Sequence, residues 1–175
     1  MRKELEEKLA SDYPDFFIGR SKPITESRMA EGCACDDGWY EIINDFCFLT
    51  KNALACARYV NATDGELVAH EGPIFEFVQI KEKMGSLRLY YKLWQPEVSE
   101  EGKDSSDIQL RLVELEGRIR GYSSYAFLLS KKTCEKTGLP GKLLHRGGLL
   151  KTLCSSEADR LGFEDHIPSG WSLFF

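Results

Sequence analysis

The chain has 175 residues, 42% hydrophobic and 29% charged, a length that fits one domain able to bury a core without disulfide staples. That balance excludes an intrinsically disordered chain, and a net charge of −5 removes any general attraction to phosphate backbones. The longest apolar stretches, such as Tyr125 to Leu129, are too short to span a bilayer, and no basic segment leading into an apolar one opens the chain, so a cytoplasmic protein with no membrane contact is expected.

From the N-terminus, Leu5 and Leu9 stand four apart among Glu and Lys and predict a short amphipathic helix over Arg2 to Ala10, ending near Tyr13-Pro14. A loop follows to about Asp36, and its Cys33-Ala-Cys35-Asp36-Asp37-Gly38 run supplies a turn and the acidic residues suited to a helix N-terminus. Trp39, Ile42, Ile43, Phe46, Leu49, Ala53, Leu54 and Ala57 recur at three- and four-residue steps, which predicts a long helix with one buried face ending near Asn61. Cys47 and Cys56 fall inside this pattern and read as core residues. Asn61 to Gly65 reads as a loop or tight turn.

Pro73 to Lys81 is rich in Phe, Val and Ile, and Leu87, Leu89, Tyr91 and Leu93 alternate with Arg88, Tyr90, Lys92 and Trp94; the two segments predict a hairpin turning at Met84-Gly85. Pro96 to Ser106 reads as a polar loop. Ile108, Leu112, Leu115, Ile119, Tyr122, Ala126 and Leu129 then form the continuous apolar seam of a second long helix. Gly117 and Gly121 lie one turn apart on it, and close packing against a neighbouring element is the expected reason for two glycines in a helix.

Six cysteines in a chain with no export signal point to thiols or metal ligands rather than a disulfide framework. Thr133-Cys134 through Gly141, then Gly147-Gly148 through Cys154 and Glu157, outline a turn, a short hairpin and a helix that begins at Cys154. A treble-clef zinc site has that layout, with two ligands on the turn and two on the first turn of the helix. The second position of each pair is Thr137 or Glu157, so the tetrahedral set is incomplete and no metal or other cofactor is expected. The residues from which a four-thiolate site would have to be assembled are Cys33, Cys35, Cys134 and Cys154; in its absence, packing by Leu139, Leu143, Leu149 and Leu153 replaces the metal.

Cys35-Asp-Asp-Gly-Trp-Tyr40, Val78-Gln-Ile-Lys-Glu-Lys-Met-Gly85-Ser-Leu-Arg-Leu-Tyr90-Tyr91 and the Thr133-Cys134-Glu to Thr152-Leu-Cys154 segment together resemble a family of small phage, prophage and bacterial proteins without assigned activity. The resemblance spans about Cys33 to Glu157, is most specific at the hairpin, and departs from the family pattern at Thr137 and Glu157. It implies a mobile-element setting and no particular chemistry.

The fold class expected is α+β: two long helices packed on a small antiparallel hairpin as a core over 1–130, joined in a single domain to a degenerate treble-clef-like module with an apolar tail over 131–175. His70, His145 and His166 sit in no hydrolase, phosphate-loop or dinucleotide motif, so no catalytic residue is assigned. His145 with Asp159 or Glu157 is the only arrangement suggestive of a treble-clef nuclease. Nucleic-acid binding would rest on Lys131, Lys132, Lys136, Lys142, Arg146 and Lys151, with Arg88, Tyr90, Lys92 and Trp94 on one strand face, against an acidic whole. Protein binding, by an inhibitor or adaptor acting on a host or phage factor, is the preferred reading, with the tail residues Trp171, Phe174 and Phe175 as candidate anchors.

Overall fold

The hairpin foreseen around Met84-Gly85 lies at the centre of the computed structural model, which describes residues 1–57, 59–61, 67–69, 72–95 and 105–165. Its helices are α1 (Lys3–Asp12), α2 (Tyr40–Ala57), α3 (Ser105–Ser130) and α4 (Ser155–Leu161). Its strands are β1 (Tyr59–Asn61), β2 (Leu67–Ala69), β3 (Ile74–Lys83), β4 (Ser86–Trp94), β5 (Lys142–Arg146) and β6 (Leu149–Leu153), paired as three antiparallel hairpins. The class is mixed α+β, as the sequence predicts.

Met84 and Gly85 both hold positive φ, 55° and 70°, the pair of values that a two-residue type I′ turn requires. A methyl group at position 85 would also meet the end of the Leu143 side chain, which would have to move aside. On β4 the expected alternation holds from Tyr90 on, with Tyr90, Lys92 and Trp94 more open than Leu87, Leu89, Tyr91 and Leu93, while Arg88 is half-buried like Leu89. On β3 it does not. Phe75 and Phe77 point inward, but the register shifts between Phe77 and Gln79, and the next inward side chain is Ile80. A one-residue bulge at Val78 reverses the phase of the strand.

An aromatic cluster covers the inner face of this hairpin. The ring of Phe16 lies 4.6 Å from that of Phe75, and Phe17 and Phe46 lie 5.2 and 5.7 Å from Phe77. Phe16 and Phe17 come from the stretch between α1 and α2, read from sequence only as a loop. It forms four 3-10 turns, over Pro14–Phe16, Ile18–Ser21, Arg28–Glu31 and Asp37–Trp39. Ala34 bonds to the edge of β3, accepting from Glu82 N–H and donating to Ile80 C=O, each at 2.9 Å.

α2 buries Ile42, Ile43, Phe46, Cys47, Ala53 and Leu54 but stops at Ala57, not near Asn61, because Tyr59 to Asn61 pair with Leu67 to Ala69 as a short hairpin. β-Branched and aromatic residues there favour the strand. Residues 62–65 of the expected turn lie outside the described residues. Cys56, read as core, is exposed on the last turn of α2. α3 packs on α2 and β4 through Leu115, Ile119 and Ala126, and begins at Ser105, inside the segment read as a loop. Gly117 and Gly121 contradict the close-packing expectation: a methyl group built on either meets no atom within 4 Å.

A second hydrophobic cluster holds the C-terminal segment, with Cys134, Leu144, Leu153, Cys154, Ala158 and Phe163 buried together. The leucines differ from those expected, for Leu139 and Leu149 are exposed and Leu144 takes the interior place. This cluster meets the main core where the Thr152 hydroxyl donates to the Gly85 carbonyl at 2.6 Å. Among the described residues, no helix is long and apolar enough to cross a membrane.

Candidate functional site

Cys134 opens a tight turn in which Gly138 N–H returns to the Cys134 carbonyl at 2.9 Å and Cys134 N–H donates to the Leu139 carbonyl at 2.7 Å. Gly138 takes the positive φ, 77°, that closes such a turn. The β5–β6 hairpin follows, and α4 starts directly after Cys154. Thr137 and Cys154 come together, with Thr137 Oγ1 3.6 Å from Cys154 Sγ. Ser156 Oγ lies 3.3 Å from the same sulfur. The hydrogen bonds from Ser156, the Glu157 backbone and Thr137 lower the Cys154 thiol to about 7. The Glu157 carboxylate pairs with Arg160 at 2.6 Å.

Cys33 and Cys35 belong to the main core and Cys134 and Cys154 to the second cluster, so the four candidate thiols are not brought together. Burial pushes the Cys33 thiol up to about 12 and raises that of Cys35 as well. Among the described residues no group of three or more His, Cys, Asp and Glu side chains is placed to hold a metal ion. His145 lies on β5, where its backbone pairs with Glu164, while Asp159 is exposed on α4.

The basic stretch is largely occupied by internal partners. Lys136 pairs with Asp36 at 2.9 Å, Lys151 with buried Glu135 at 2.6 Å and with Asp36 at 3.8 Å, and Lys142 with Asp165. Arg146 donates to the Leu161 carbonyl and stacks 5.1 Å from the Phe163 ring centre. The Lys131 ammonium sits over the Phe127 ring at 5.5 Å, and Lys132 is exposed. These cations knit the C-terminal segment to itself and to the Asp36 loop; they do not form one open basic face. On β4, Arg88 lies over the Phe127 ring at 4.4 Å, leaving Tyr90, Lys92 and Trp94 as the open residues of that strand face.

A different surface is open and apolar. Between α2 and α3 runs a groove of about 250 Å³ whose walls include Phe48, Leu49, Tyr122, Tyr125 and Leu129, with Asp45 as its charged member. Phe48 and Tyr125 are exposed for more than half of their surface. Phe48 is out of phase with the buried seam of α2, and apolar periodicity marks only residues in phase with that seam. A phenylalanine out of phase on an amphipathic helix is the available signal. Trp171, Phe174 and Phe175, the anchors named from sequence, lie outside the described residues.

Compared with protein-family models, curated proteins and solved structures, the chain gives no match.

Proposed function

We propose that this protein is a non-enzymatic protein-binding module of the mobile-element type, acting in the cytoplasm as an inhibitor or adaptor. The observation that carries the reading is the open apolar groove between α2 and α3, with exposed Phe48 and Tyr125. Exposed aromatics beside a groove are the usual anchors of a protein interface. Asp45 in the groove and the net charge of −5 favour a partner segment with apolar anchors and basic flanks. The sequence resemblance over Cys33 to Glu157 supports the phage or prophage setting. The turn, hairpin and helix that follow Cys134 support reading the C-terminal segment as a treble-clef-like unit in which Thr137 and the surrounding packing stand where metal ligation would otherwise be.

Capture with the tagged chain from its host, run with and without nuclease and repeated with Phe48→Glu, tests this. A basic partner that survives nuclease and is lost with Phe48→Glu supports the reading. Capture that vanishes with nuclease transfers the function to nucleic acid, and a partner indifferent to Phe48→Glu removes the groove from consideration.

A further inference from the structure

Two of the six thiols stand side by side. Cys134 opens the turn and Cys154 follows β6, and the chain segments that carry them are clamped together, with Glu135 N–H donating to the Thr152 carbonyl at 2.9 Å. A methyl group at Gly141 would lie 2.8 Å from the Cys134 nitrogen and 3.1 Å from the Leu153 carbonyl carbon, so the two segments pass each other without slack. Across this clamp the Cys134 thiol hydrogen-bonds to the Cys154 sulfur.

The two sulfurs differ in their surroundings. Cys134 is fully buried, whereas Cys154 keeps 8% of its surface open and has the Ser156 hydroxyl at 3.3 Å and the Thr137 hydroxyl at 3.6 Å. Packing gives no reason to set two hydroxyls against one sulfur at the rim of a cluster built from Leu144, Leu153, Ala158 and Phe163. Cys47 shows the contrasting case of a structural thiol, raised well above its ordinary range by burial alone with no such donors. Hydrogen bonds that favour the thiolate on a sulfur within reach of solvent mark a reactive cysteine, and a second thiol in contact turns its oxidation into a disulfide.

We propose that Cys134 and Cys154 are a peroxide-sensitive dithiol, in which Cys154 is the attacking sulfur, Cys134 resolves it, and their disulfide is a reversible modification of the C-terminal segment. In the first step the Cys154 thiolate attacks one oxygen of a hydroperoxide: the S–O bond forms, the O–O bond breaks, and the second oxygen leaves as hydroxide or alkoxide and takes up a proton. Cys154 is then a sulfenic acid, two electrons oxidised. In the second step the Cys134 sulfur attacks Cys154 Sγ: the S–S bond forms, the S–O bond breaks, and the hydroxyl leaves as water with the Cys134 proton. A dithiol, itself oxidised to a disulfide, restores both thiols by exchange. The small opening at Cys154 admits a hydroperoxide and excludes bulky oxidants. The disulfide ties the turn before β5 to the start of α4 and removes the sulfur acceptor that Thr137 and Ser156 share. None of these residues lines the groove between α2 and α3, so the pair acts independently of the groove reading.

The test is treatment of the full reduced chain with hydrogen peroxide at neutral pH, in a Cys56→Ser background that removes the exposed thiol. Remaining thiols are then alkylated, and the intact mass and the cross-linked peptides are read. Two thiols should be lost together, with the bond mapped to Cys134 and Cys154 and reversed by dithiothreitol. In Cys134→Ser the reaction should stop at a Cys154 sulfenic acid that dimedone traps, and Ser156→Ala should slow the first step. Urea-unfolded chain should lose the preference for this pair. Folded chain that keeps all its thiols, a bond that maps to Cys33 or Cys35, or Cys154 oxidised to the sulfinic acid while Cys134 stays free, overturns the proposal. The decisive measurement is made with both cysteines in place, so it stands even where a cysteine variant fails to fold.

Discussion

The indole Nε1 of Trp39 donates to the Thr133 carbonyl at 2.9 Å, joining the head of α2 to the turn that opens the C-terminal segment, 94 residues later. Trp39 is fully buried and its ring is part of the main core. Replacing it by alanine should cost about 3–5 kcal/mol, the range for truncating a buried aromatic. Trp39→Phe keeps most of the packing and strands the carbonyl, at a cost of about 1–3 kcal/mol. Denaturant midpoints of the two variants measure both; a negligible loss for Trp39→Phe would mean that the hydrogen bond contributes nothing beyond packing, and equal losses that packing contributes nothing beyond the hydrogen bond.

Two glycines should respond to alanine with opposite signs. At Gly38 a methyl group would overlap the backbone of Cys134, Glu135 and Gly138, atoms that cannot swing aside. Gly38→Ala should therefore destabilise by about 1–3 kcal/mol, as overpacking does. At Gly117 the same change meets open space and should stabilise the fold by up to about 1 kcal/mol through helix propensity. Thermal unfolding decides both.

The elements legible in the sequence were those whose burial follows one unbroken period. The seam of α3 at Leu115, Ile119 and Ala126, the alternation of β4 from Tyr90 on and the Met84-Gly85 turn carry their own signals, and the structure places these as read. Phe16 and Phe17 were not legible as core because 3-10 turns have no apolar period long enough to recognise. The bulge at Val78 hid the inward face of β3, since a register shift leaves no mark in composition. At the candidate site, Lys136, Lys142, Arg146 and Lys151 looked like one basic patch because a sequence count does not show that Asp36, Glu135 and Asp165 fold back beside them.

Lys151→Met should leave Glu135, almost wholly buried, without its counter-charge. Removing one partner of a buried pair costs roughly 3–5 kcal/mol, and because Lys151 is about a quarter exposed the lower end applies. Burial already raises the Glu135 carboxyl, against the pull of Lys151. Without the lysine it rises further, so the folded variant holds its proton more tightly than the unfolded chain does. The penalty should thus be small at pH below the ordinary glutamate range and grow as pH rises through the folded-state value. A penalty independent of pH would show that the loss is one of packing.

The Cys154 thiol titrates in the neutral range. Its thiol is lowered to about 7 by the Ser156 hydroxyl first, then the Glu157 backbone N–H and the Thr137 hydroxyl. Thiolate absorbance of the folded protein should show a step near pH 7 that disappears in Cys154→Ser, whereas the Cys33 thiol, pushed up to about 12, stays silent through the neutral range. Ser156→Ala and Thr137→Ala should each move the step upward, Ser156→Ala by more. The sign for stability follows from the lowered value. A free thiol in the unfolded chain ionises near about 8.5, so the folded state releases this proton first. Ionisation of Cys154 therefore stabilises the fold fully above about pH 8.5, and that contribution is lost as pH falls through about 7. Wild type and Cys154→Ser should diverge in unfolding free energy between these two pH values and run parallel below the lower one. Parallel behaviour across the whole range would mean that the three hydrogen bonds do not hold the thiolate, and the role assigned to Thr137 at this sulfur would fall with it.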